Sequence, residues 1–88
     1  MSLKLSLKAE EQINFILAPL YAVNCPECLI EHVRLRVKKY LKQPPKNVNT
    51  IRRASNAIAV PVLRAVHSAA IQSMKSNFLE VINLKNAS

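Results

Sequence analysis

Residues 26–42 read PECLIEHVRLRVKKYLK, and the fold turns on how this stretch is read. Leu29, Val33, Val37, Tyr40 and Leu41 recur at the three- and four-residue steps that build one face of an α-helix. Pro26 suits the first helical position, where its missing N–H costs nothing. Glu27 stands in the first turn and Lys38, Lys39 and Lys42 gather toward the end, both favoured by the helix dipole. Outside the stripe, His32, Arg36 and Lys39 form one row and Arg34, Lys38 and Lys42 another. The segment is therefore an amphipathic helix, apolar toward a core and cationic toward solvent.

Upstream, Ala9, Ile13, Ile16, Leu17 and Leu20 keep the same spacing, with Ser6 as N-cap and Glu10 and Glu11 in the early turns. Pro19 is expected to kink this first helix or end it near Leu17, because it lacks an N–H and crowds the preceding turn. An irregular stretch over residues 22–25 should follow. Downstream, Gln43-Pro44-Pro45-Lys46 ends the second helix, since a residue before proline is pushed out of the helical region. Asn49 or Thr50 can cap a third helix with Ile51, Ala54 and Ile58 inward. Pro61 then either kinks that helix or opens a fourth running from Val62 to about Leu84. Leu63, Val66, Ala70, Met74, Phe78 and Val81 form its apolar seam, and Ala65, Ala69 and Ser73 a small-residue edge open to close approach.

The composition agrees with helices. Glycine is absent from all 88 residues. Tight hairpins, bulges and phosphate-cradling loops depend on glycine's access to positive φ, so nucleotide loops of the Walker or Rossmann kind are excluded. Helix ends must instead use asparagine, the next most tolerant residue there, and Asn24, Asn47, Asn49, Asn83 and Asn86 lie where ends are expected. The reading is one all-α domain over residues 1–88, a small bundle of three to four helices with a long last helix. Residues 1–6 are expected to be flexible and 85–88 to fray.

Charge is divided unevenly. Residues 1–31 carry Lys4 and Lys8 against Glu10, Glu11, Glu27 and Glu31. Residues 32–88 carry eleven Lys or Arg against Glu80 alone, and the whole chain has a formal charge of +8. An acid-free run of this kind points to an anionic partner. No run approaches the roughly 20 apolar residues of a membrane-spanning helix. Residues 57–71 come nearest and are interrupted by Arg64 and His67. Glu10 and Glu11 stand where a secretory signal would need its apolar region, so an intracellular protein is expected, in cytoplasm or nucleus.

Three motifs invite chemistry. Cys25-Pro26-Glu27-Cys28 has the spacing of a redox dithiol at a helix start, where the dipole would lower a thiol pKa, but no βαβ pattern accompanies it. Cys25, Cys28 and His32, completed by His67, would supply four zinc ligands. The plainer account is two reduced cysteines at a helix start and no cofactor. Arg52-Arg53-Ala54-Ser55 matches a basophilic kinase site, with phosphate on Ser55 opposing the basic region. No carboxylate pair or nucleophile–base set meets the first steps of an active-site search, so no catalytic residue is assigned and the chain reads as non-enzymatic.

The leading expectation is a protein-interaction or oligomerisation module within a nucleoprotein assembly, docking through Leu35, Ala65, Ala69, Ser73, Leu79 and Ile82. The alternative is direct, largely sequence-nonspecific nucleic-acid binding through Arg34, Arg36, Lys38, Lys39, Lys42, Lys46, Arg52 and Arg53. A third reading lays the basic second helix on an anionic membrane surface, though tryptophan is absent and the apolar stripe resembles a core stripe.

Overall fold

The structure, a computed structural model, describes the backbone of residues 2–87 and the side chains of residues 8–86. Among the described residues the chain forms four α-helices and no strand. They are α1 (Ser2–Ala22), α2 (Glu27–Lys42), α3 (Val48–Ala59) and α4 (Ser68–Ala87), with a 3-10 turn over Val60–Val62. α4 lies mainly against α1 and also against α3, while α2 packs on α1 and α3. The four close into a ring around a shared core of which Ile16, Leu17, Val33, Ile58, Met74 and Phe78 are central members. The ring of Tyr40 on α2 meets Phe78 on α4 edge-on, with centroids 5.8 Å apart and planes at 72°.

α1 begins at Ser2, upstream of the Ser6 cap expected from sequence. The side chains of the expected flexible segment 1–6 lie outside the described residues, as do those of Ala87 and Ser88 at the expected frayed end. α1 also continues through Pro19 to Ala22. Proline at 19 removes the amide that would bond the Phe15 carbonyl. Asn77 on α4 repairs the loss, its Nδ2 donating to that carbonyl at 2.9 Å. The helix survives its proline because a neighbouring helix supplies the donor.

The end of α1 follows from asparagine chemistry. Asn24 takes φ 55°, the left-handed conformation that glycine usually fills. Its N–H donates to the Tyr21 carbonyl at 3.1 Å, and the N–H of Cys25 donates to the Leu20 carbonyl at 3.1 Å. These two bonds form a Schellman motif, and the accompanying hydrophobic contact explains why Cys25 is buried beside Leu20. Pro26 is the N-cap of α2 and not its first residue, so the helix starts one residue later than expected, at Glu27; the Pro26 carbonyl accepts from Leu29 and Ile30.

Two later boundaries differ from the sequence reading. α3 is capped by Asn47, not Asn49 or Thr50; Asn47 Oδ1 accepts from the Asn49 N–H at 2.8 Å. The proline loop before it is tied to α4, Asn86 Nδ2 donating to the Pro45 carbonyl at 2.9 Å. Pro61 falls in the 3-10 turn and so lies outside the last helix, which starts at Ser68. Leu63 and Ala65 donate to Val60 and Val62 in three-residue steps before the His67 carbonyl accepts Ala70 and Ile71. This tighter winding puts Leu63 outside, off the expected seam, and removes Ala65 from α4. No helix among the described residues is long and apolar enough to cross a membrane.

Candidate functional site

The outer face of α2 exists because its inner face is spent. Ile30, Val33, Val37 and Leu41 are buried, which turns Arg36, Lys38, Lys39 and Lys42 to solvent. The two rows read from sequence lie along separate hollows. His32, Arg36 and Lys39 border one of about 350 Å³ together with Leu35 and Tyr40. Lys38 and Lys42 border another of about 420 Å³, shared with Lys85 and Glu10. Lys46 is exposed in the loop that follows. None of Arg36, Lys38, Lys39, Lys42 and Lys46 is ion-paired among the described residues.

Arg34 differs from its neighbours. Its Nη2 donates to the Tyr21 hydroxyl at 2.8 Å, and its Nε lies 3.3 Å from Glu31 Oε1. Burial works to lower its pKa, but the Tyr21 bond and the charges of Glu31 and Glu10 outweigh it, and the pKa is raised. Arg34 is a brace between α1 and α2, already committed. Arg36 Nε donates to His32 Nε2 at 3.2 Å, a contact that leaves the guanidinium's other donors free. Arg52 and Arg53 are exposed on α3, and Arg52 borders a cleft against α4. The eight cations grouped by sequence therefore divide into an α2 face, one brace, and a pair on α3.

That cleft was not anticipated. Val48, Ile51, Arg52 and Ser55 of α3 face Lys75 and Leu79 of α4 around about 370 Å³. Asn56, Gln72 and Lys75 carry it into a second hollow of about 240 Å³ bordered by Val60, Leu63 and Ile71. Periodicity gave no signal for it: Val48 stands three residues before Ile51, in step with the buried stripe, yet is exposed at the first turn of α3, and Val60 falls in the 3-10 turn beyond that helix.

Ser55 is the floor of this cleft. It is 2% exposed in the second half of α3, and its Oγ has no hydrogen-bond partner. Gln12 Oε1 and Arg34 Nε share that condition, but both residues are only half-buried, and Arg34 is bonded through Nη2. Ser55 has one polar side-chain atom, and that atom is buried. The phosphorylation reading of Ser55 is thereby corrected, because a kinase needs an accessible hydroxyl and the fold withholds this one.

The cysteine and histidine readings are corrected as well. Cys25 is drawn into the core by the Schellman motif, whereas Cys28 is exposed, and both are free thiols. His32 and His67 are exposed on α2 and just before α4. No three His, Cys, Asp or Glu among the described residues gather where a metal could be held, so the four-ligand zinc site does not form. Burial, and secondarily the charge of Cys28, push the Cys25 thiol pKa up. A dithiol nucleophile needs the opposite shift.

Of the expected partner interface, Leu35 is 65% exposed, and Ala69 and Ser73 are exposed on α4. Ala65 is exposed in the turn before that helix. Leu79 is half-buried against the core and Ile82 is fully buried, one turn beyond Phe78 on the same inward face. Ile82 thus leaves the interface for the core. Comparison with protein-family models, curated proteins and solved structures finds no match to this chain.

Proposed function

We propose that this chain is a non-catalytic docking domain of a nucleoprotein assembly, with the outer face of α2 seated on a nucleic-acid backbone. The observation that carries the reading is the set Arg36, Lys38, Lys39, Lys42 and Lys46, exposed along one helix and its following loop without ion pairs among the described residues. Cations already free of carboxylates give up little when they turn to phosphate. Sequence readout has less support. Phe78 is fully buried, Tyr40 is half-buried against it, and the exposed aromatics Phe15 and Tyr21 belong to α1. A membrane surface is less well matched, because α2 has closed its apolar stripe on the core and keeps Leu35 as its large exposed apolar side chain.

Anisotropy titrations of two unrelated duplexes over a salt series test this. The two should bind alike, with log affinity falling against log salt at a slope of about −4 to −5 for five phosphate contacts. The triple variant Lys38→Gln, Lys39→Gln, Lys42→Gln should reduce that slope by about 3. Absence of binding at low salt refutes the reading, and binding to anionic vesicles without duplex binding reassigns the face to lipid.

A second reading, docking of a protein partner or a second copy, has its own observation. Val48, Val60 and Leu63 are left exposed along the α3–α4 cleft, where an assembly could cover them. Sedimentation as a strict monomer at high concentration would remove self-association from it.

A further inference from the structure

We propose that the cleft between α3 and α4 is the docking groove for an acidic amphipathic helix carried by a partner protein. This deepens the partner-docking reading and does not depend on the α2 face.

The apolar lips come first. Val48 at 71%, Val60 at 62% and Leu63 at 56% are three of the five most exposed large apolar side chains among the described residues. Val48 borders the cleft, and Val60 and Leu63 border the adjoining hollow that shares Asn56, Gln72 and Lys75 with it. Scattered exposed apolar residues are ordinary on any protein surface, whereas a cluster along one concavity marks a place that something covers.

The floor adds an independent mark. The Ser55 hydroxyl is buried, unpartnered and on the wall of the cleft. A hydroxyl withdrawn from water without a replacement bond is a standing cost, and it marks this seam as incompletely matched. Charge then selects the occupant. Arg52 and Lys75 border the cleft and no carboxylate does, with Lys75 bordering both hollows. The occupant therefore offers carboxylates beside an apolar stripe.

Length selects its form. The 12 residues of α3 run about 18 Å at the rise of an α-helix, matched by about three turns of a partner helix laid alongside. Apolar residues at i, i+3, i+4 and i+7 would meet the lips at both ends while acidic residues flank them toward Arg52 and Lys75. A second copy of this chain suits the groove poorly. Each copy carries +8, and beyond Glu31 its only acidic residue is Glu80.

The test titrates isotopically labelled full-length protein with three synthetic helices of about 14 residues. They share one leucine stripe and carry Glu, Gln or Lys on the flanks. The Glu helix should shift amides of α3, the Val60–Val62 turn and α4, and bind about tenfold tighter than the Gln helix. Arg52→Glu with Lys75→Glu should transfer the preference to the Lys helix, and Val60→Asp should weaken all three. Each variant's own amide spectrum reports whether it is folded. The triple α2 variant should leave Glu-helix affinity unchanged, which separates this groove from the nucleic-acid face. Equal affinity for the three helices overturns the proposal, as does absence of binding. Glu-helix shifts confined to α2, or a dimer in sedimentation that Val60→Asp dissolves, overturns it in favour of another site or of a second copy.

Discussion

α4 packs mainly along two helices, α1 and α3, and the two seams are unlike. Toward α1, Asn77 reaches across to the one carbonyl that Pro19 had orphaned, and Ile16, Leu17 and Leu20 are fully buried. Toward α3, the Ser55 hydroxyl is buried without a partner, and Val48 and Val60 stand in solvent beside an open cleft. The same helix thus completes one interface and leaves another incomplete. A seam whose polar groups are matched and whose apolar groups are covered holds the fold. A seam lacking both has surface left for another molecule.

Truncations at the two seams should separate by the largest margin. Leu17→Ala removes a fully buried side chain and should cost about 2–5 kcal/mol, read as a fall in denaturant midpoint at constant m. Val48→Ala, on a residue 71% exposed, should stay within about 0.5 kcal/mol. Comparable losses at both positions would mean that the α3–α4 seam carries the fold as well, and the contrast would be lost.

The Asn77 repair gives a smaller but more specific effect. Asn77→Ala should cost about 1 kcal/mol, the ordinary worth of one hydrogen bond. In a Pro19→Ala background residue 19 regains an N–H able to bond the Phe15 carbonyl, and the cost should shrink. A double-mutant cycle reads the difference. Strict additivity would show that Asn77 acts on something other than the proline.

What the sequence makes legible follows the same division. The stripes Ile13–Leu20 and Leu29–Leu41 lie within single helices, so periodicity alone assigns them, and they are buried except for Leu29 and Tyr40, which are half-buried. Asn24 in the left-handed region was foreseeable once glycine was known to be absent. Helical passage through Pro19 was not, because its remedy lies 58 positions away in Asn77 and no local rule reaches that far. The winding after Pro61 differs because a proline opening a helix and one entering a 3-10 turn share the same local signals, and Leu63 and Ala65 move with it, whereas Ile82 is buried by its own spacing, one turn beyond Phe78. The α2 cations could be read directly, since they need only one helix. The α3–α4 cleft needs two, and the burial of Ser55 depends on how those two pack.

Ser55→Ala is the sharpest probe of the unfinished seam, though its effect on stability is the smallest. If the hydroxyl has no partner, removing it takes away a desolvation cost without breaking a bond. Alanine is also the better helix former, so the free protein should gain about 0.5–1 kcal/mol, seen as a higher denaturant midpoint. Most core substitutions move the other way, which gives the sign its force. A loss of stability instead would mean that Ser55 is bonded within the fold. The seam would then be closed on its polar side, and the groove would rest on its apolar lips and two cations alone.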